Sequence, residues 1–347
     1  MALSIDLIIA NDDGSQQQKL SWLCPETGEL KRLVVPNSLR KNWKSAALRD
    51  DIKVFNYTID GRKFTYDVTS EMAMNVSHVD WQYSDECTIS VHHALLQTGL
   101  DPEKYPNVKI IATLPITQYY SPDDLQRHEG NIQRKKDNLM RKVVLNGGKT
   151  FNIAEVKVMP ESAPACMSVL LDENLNINEY HRTLVIDLGG VTLDMAIVRG
   201  KFEDLTSVTG NSNLGVSMVT GVVKHALAEA DSEVSWHVAN QFIVNRNDRE
   251  FVEQVINDHS KIDYVLERTE KRIAELSSAV VEDAKRFCSA PNRILVVGGG
   301  GPLVLGALRE AYPSLGDRVQ LVKGAESVLA VELMKMHANE ARVTVAA

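Results

Sequence analysis

Apolar positions in the first third of the chain come in short runs separated by polar turns. "LSIDLIIA", "LSWLC", "KRLVVPN" and, past Gly61, "RKFTYDV" are each rich in β-branched or aromatic residues and suit strands. "PETGE" (25–29) supplies the turn between two of them. The period then lengthens, predicting a helix over 84–98 that Ser84 or Asp85 can cap. "VKIIATLPI" (108–116) is a buried strand ending at Pro115. A charged helix is expected over roughly 122–143, with Leu125, Ile132 and Leu139 as its apolar face. Asn146-Gly147-Gly148 is its expected stop. Its basic cluster, Arg134-Lys135-Lys136 with Arg141-Lys142, reads as a solvated face, with partner docking as the other use. "EVKVMPES" (155–162) predicts a strand, and a helix around 163–174 follows.

The second half opens on "LVIDLGGVTLDMAIV" (184–198), two β-branched runs around a Gly189-Gly190 turn bracketed by Asp187 and Asp194. Such a pattern predicts a buried hairpin. Helices are expected near 215–230, 248–257 and 262–288. In the last, Ile262, Val265, Leu266, Ile273, Leu276 and Val280 define one face. "NRILVVGGGGPLVLGALREAY" reads as strand, glycine turn and helix, and "ESVLAVELMKMHA" (326–338) as a final helix. No period of about 20–50 residues repeats, which excludes a solenoid. Strands and helices interleaved in this way make an α/β protein.

Composition narrows the picture. The chain has 347 residues, enough for two domains, and its 44% hydrophobic content is that of a globular protein. No apolar run approaches the length of a membrane span, and the start lacks the basic region of a signal peptide. Cys24, Cys87, Cys166 and Cys288 stand far apart, which fits free thiols in a reducing cytosol. A formal net charge of -8 argues against a large direct nucleic-acid surface. His92 and His93 are adjacent on a helical pattern and read as structural, since neighbouring residues do not share a helix face.

Three glycine turns carry the candidate chemistry. "NDDGSQQQK" (11–19) combines Asp12, Gly14, Ser15 and Lys19: a turn of backbone N–H groups, a hydroxyl and a cation, each suited to a polyphosphate. Alone, the same residues also suit a polar hairpin with a surface lysine. The second turn offers Asp187, Gly189, Gly190 and Thr192, and the third offers Gly298, Gly299, Gly300 and Gly301 between a strand and a helix. Asp12 and Asp187 would face one Mg²⁺, mostly through water. Glu161 follows Pro160 after a buried strand, where a carboxylate can orient or deprotonate an attacking water. The same residue also suits a helix N-terminus. Two Asp-containing glycine hairpins followed by a third glycine turn is the order found in the actin, sugar-kinase and Hsp70 superfamily.

Beyond that superfamily, the chain closely resembles the ParM/StbA family of plasmid-segregation actins. "DDGS" (12–15), "VFNYT" (54–58), "WQYSD" (81–85), "VHHALL" (91–96), "RKK" (134–136), "LNGG" (145–148), "VKVMPES" (156–162), "IDLGG" with "TLD" (186–194), "LGVS" (214–217) and "VVGGGG" (296–301) carry the resemblance. It implies an actin-like ATPase fold with two ribonuclease-H-like domains around a nucleotide cleft. Domain I would comprise 1–174 plus 325–347 and domain II 175–324. The resemblance further implies hydrolysis of ATP, with GTP as an alternative, in the presence of Mg²⁺. Glu161 and Asp187 would be the catalytic pair, and the glycine turns would hold phosphates and adenosine. Polar double-stranded filaments in the bacterial cytoplasm would push plasmids apart through a ParR-like adaptor bound to centromere-like DNA, with no direct nucleic-acid or membrane contact. The chain departs from the pattern at Val191, where relatives tend to have threonine, and in the tail "ARVTVAA" past the final helix.

Overall fold

A computed structural model describes residues 4–45, 53–78 and 80–346. Leu3, at the head of the first expected strand, and Ala347, at the end of the tail, lie outside the described residues. The meander forms as β1 (Leu7–Asp13), β2 (Gln17–Leu23) and β3 (Leu30–Pro36), then β4 (Leu39–Lys41), β5 (Phe55–Ile59) and β6 (Arg62–Tyr66). Helix α1 (Asp85–Gln97) starts where Ser84 Oγ accepts the Cys87 N–H, a side-chain N-cap. Then come β7 (Asn107–Leu114), α2 (Ile116–Tyr119), α3 (Glu129–Leu139), β8 (Val143–Leu145) and β9 (Asn152–Pro160). The rest is α4 (Met167–Leu170), β10 (Arg182–Leu188), β11 (Leu193–Arg199), β12 (Asp204–Asn211), α5 (Ser217–Glu229), α6 (Trp236–Asn245), α7 (Arg249–Val255), α8 (Ile262–Phe287), β13 (Arg293–Val297), α9 (Gly301–Ala311), β14 (Val319–Leu321), α10 (Val328–Met336) and α11 (Ala338–Ala346).

Two sheets repeat one plan. The first runs β3-β2-β1-β7-β9 and the second β12-β11-β10-β13-β14. In each, an antiparallel meander of three strands continues into two parallel ones. Parallel pairing needs long crossovers and buries strands on both faces, hence the near-continuous apolar runs of β7 and β10. Ile8, Ala10 and Ile111 of the first sheet share one core with Val185, Ala196 and Leu295 of the second, and Leu329 and Leu333 of α10 pack into it. A smaller sheet, β4-β6-β5-β8, lies beside the first. In α8 the buried face includes Ile262, Val265, Ile273, Leu276 and Val280, with Leu266 half-buried at its edge, as the spacing predicts.

Several expectations are corrected. The helix expected over 122–143 is only α3. A bridge between Tyr120 and Arg127 closes a turn before it, and Leu125 sits there at φ 56°, outside any helix. Beyond α3, Val143 to Leu145 pair with β5 as a strand, so Asn146-Gly147-Gly148 turns between β8 and β9 instead of stopping a helix. The segment after Glu161 is a 3₁₀ turn, Ala163–Cys166, with the four-residue α4, not a full helix. Helix α6 was not anticipated, and the tail forms most of α11. His92 and His93 are structural as expected: both are buried, and burial pushes them down to about 4 and about 3. His93 accepts or donates to Tyr57 Oη at 2.8 Å and stacks on Tyr66.

Candidate active site

The two hairpins meet over a cleft of about 730 Å³ between the sheets. They have the same length and register. Asp12 pairs across the strands with Lys19, and Asp187 with Asp194, leaving four-residue turns of 14–17 and 189–192. Asp12, Gly14, Ser15 and Lys19 line the cleft from one side, and Asp187, Gly189, Gly190 and Thr192 from the other. The turns touch: a Cβ on Gly190 would stand 2.7 Å from Gln16 Cγ and 3.0 Å from Ser15 Oγ, so only glycine fits. Among the described residues, the N–H groups of Gly14, Ser15 and Gln16, and of Gly190, Val191 and Thr192, meet no acceptor within the chain. Ser15 Oγ is buried without a partner. A run of N–H groups without acceptors beside a cleft has the chemistry to receive an anion.

The third turn closes the far end. Gly298, Gly299 and Gly300 line the cleft. Gly298 sits at φ 83°, and a side chain there would collide with Asp187 Oδ1 and the Leu188 carbonyl. Gly301 lies outside the lining: it is buried as the first residue of α9, against Val296 and Leu321. Its glycine serves packing of helix on sheet, which local sequence cannot separate from ligand contact.

Carboxylates crowd the floor. Glu161 follows β9 with its N–H on the Leu114 carbonyl at 2.8 Å. The next residue, Ser162, holds φ 72°, a conformation that costs roughly 1–3 kcal/mol and recurs at functional sites. That twist aims the Ser162 N–H at Asp187 Oδ2, 3.2 Å away. Burial, then the Asp12 and Asp194 carboxylates, push Asp187 up to about 7, against Lys19 and the Ser162 N–H. Burial and the carboxylates of Asp194, Asp12, Asp187 and Asp13 hold Glu161 well above the ordinary range. Burial pushes Asp194 up to about 6 against the Thr192 hydroxyl and the Ile116 N–H, whose bond to Oδ1 is 2.9 Å. Burial draws the Lys19 ammonium down, but Asp12, Asp187 and Glu161 outweigh it; Lys19 Nζ lies 2.9 Å from Asp12 Oδ2.

These donors fit a Mg²⁺–nucleotide. They are hard oxygens with surplus negative charge, beside free N–H groups and an orphaned hydroxyl. Among the described residues no three of His, Cys, Asp and Glu converge as a ready-made metal cage. Mg²⁺ commonly keeps several waters and needs none.

Sequence reasoning passed over several residues. Gln16, His237 and Asn240 also line the cleft, the last two from α6. Asn240 Oδ1 accepts Thr220 Oγ1 at 2.5 Å and Gln16 Nε2 at 3.4 Å, linking α6 to the first turn. Asp194 was visible as the partner of Asp187 but carried no assigned role. Lys135, read as solvated, is wholly buried and salt-bridged to Asp13.

Two family models cover the chain. The one described as plasmid segregation protein ParM, N-terminal, matches residues 7–172, and ParM, C-terminal, matches 177–336. No curated protein matches. Among solved structures, a 15-stranded ParM filament from Clostridium botulinum superposes with a TM-score of 0.71 at 16% identity, over 97% of this chain and 99% of that one. A non-polymerisable mutant of pCBH ParM gives 0.69 at 17%, over 96% and 99%. An archaeal actin homologue in complex with ADP gives 0.65 at 16%, over 96% and 99%. At such identities the superpositions speak for the fold: that of the actin-like ATPases, with two domains.

Proposed function

The chain belongs to the ParM family of plasmid-segregation proteins, and from that premise we propose that it is an ATPase whose filaments grow and decay on the timing set by this cleft. The carrying observation is the pair of matched hairpins with unused N–H groups, facing each other across Glu161 and Asp187. The six N–H groups and Ser15 Oγ would hold the phosphates, with Lys19 offsetting their charge. Gly299, which has open space beside it, would floor the base. Asp12 and Asp187 would hold Mg²⁺ through its waters, and the metal would neutralise charge on the phosphates. Glu161, which lines the cleft between the hairpins, would orient the attacking water and take up its proton at a carboxylate oxygen. GTP is the alternative nucleotide.

The remaining assignments rest on the family. Domain I would be 1–174 with 325–347, since α10 and α11 return to β1 and β2, and domain II 175–324. The acidic chain would reach plasmid DNA through a ParR-like adaptor on a centromere-like site, in the bacterial cytoplasm. No described helix is long and apolar enough to cross a membrane. The mechanism is tested with Glu161→Ala: nucleotide-dependent filaments are expected to form while phosphate release slows by roughly 100-fold or more, the usual contribution of a positioned base. Release at the wild-type rate would remove Glu161 from the mechanism.

A further inference from the structure

Behind Glu161 lies a buried polar chain that reaches α3. Lys135 and Asp13 form an ion pair with both side chains wholly buried. Gln82 and Cys87 complete the surroundings of the ammonium. Asp13 Oδ1 accepts the Thr113 N–H at 3.0 Å. Thr113 Oγ1 stands 3.3 Å from that same oxygen and 3.2 Å from Glu161 Oε1. Among the described residues, this hydroxyl is the one hydrogen-bond partner of the Glu161 carboxyl.

We propose that Thr113, anchored by the Asp13–Lys135 ion pair, is a positioning residue that aims the Glu161 carboxylate at the attacking water. A hydroxyl has one proton to give. Of its two acceptors, Glu161 Oε1 at 3.2 Å is slightly nearer than Asp13 Oδ1 at 3.3 Å, and Asp13 already takes Lys135 and the Thr113 N–H. Glu161 Oε1 is thereby held by Thr113, and the residue lines the cleft. The ion pair fixes where Thr113 stands, because neither charge can move without being left unpaired in the core. This assignment rests on Glu161 acting on the water. Misplacement by about 1 Å can cost 100-fold in rate.

The test measures single-turnover phosphate release, nucleotide affinity and assembly for Thr113→Val, Thr113→Ala, Thr113→Ser and Glu161→Ala. Thr113→Val and Thr113→Ala should each slow release by roughly ten-fold or more, with affinity and assembly within about two-fold of wild type. Thr113→Ser, which keeps the hydroxyl, should restore most of the rate. If valine does not fold at this buried position, the smaller alanine carries the comparison. Slow release in Glu161→Ala with wild-type release in both hydroxyl-free variants would overturn the proposal alone. A drop in affinity matching the drop in rate would also overturn it, as would a serine variant as slow as valine. Wild-type release in Glu161→Ala would sink the underlying mechanism and this assignment together.

Discussion

In the first hairpin Asp12 faces Lys19; in the second, at the same spacing, Asp187 faces Asp194. One residue further along, the first carries Asp13 and the second Leu188. The sheets around them have one topology, so the backbone plan is shared and the chemistry is not. The first half supplies the cation and a buried ion pair. The second supplies a pair of acids and an apolar anchor. A nucleotide cleft needs both. In the proposed function, positive charge on one wall would offset phosphates, while acids on the other would hold a hydrated metal.

The sharpest way to break the comparison is to make the first hairpin resemble the second. Lys135→Met leaves Asp13 buried without its counter-charge and should destabilise the protein by about 3–5 kcal/mol in urea denaturation. Adding Asp13→Leu, which installs the residue type of Leu188, should return at least half of that loss, because apolar replacements of buried pairs are often neutral. No recovery in the double variant would show that the ion pair does more than satisfy itself.

Gly298→Ala is the next largest effect. At φ 83° and against Asp187 Oδ1, a methyl group strains the backbone and displaces the acid. A loss of about 1–3 kcal/mol in stability is expected, with weaker nucleotide binding by calorimetry. The smallest effect separates the acids by pH. Asp187 titrates at about 7 in the fold and near the ordinary value of about 3.9 when unfolded. Between those values the folded chain holds a proton that the unfolded chain has lost, so stability falls as pH rises through that window. Asp187→Asn removes this term. Its stability relative to wild type, without nucleotide, should grow from pH 5 to 7, by about 1.4 kcal/mol per unit at most. A difference independent of pH would contradict the raised carboxyl.

Much of this was legible in the chain, and the misses have physical causes. The hairpins were readable because β-branched runs around glycine specify register locally. Helix α8 was readable because its apolar face repeats over many turns. Lys135 was not, because a charged residue in a basic run gives no local sign that Asp13, far away in sequence, will bury it. Leu125 fits the heptad with Ile132 and Leu139, yet a turn closed by Tyr120 and Arg127 takes it out of the helix. Gly301 shares a run with three cleft glycines, and only the packing of α9 on Val296 sets it apart. Thr113 lies within an apolar strand run, and nothing local marks it as the residue on which Asp13 and Glu161 converge.

The central claim is that the cleft times a filament. Its most direct test is light scattering with pelleting of the purified protein in ATP, in a non-hydrolysable analogue and in ADP. The account predicts assembly followed by decay in ATP and persistent polymer in the analogue. Turnover of ATP with no polymer under any nucleotide would contradict it.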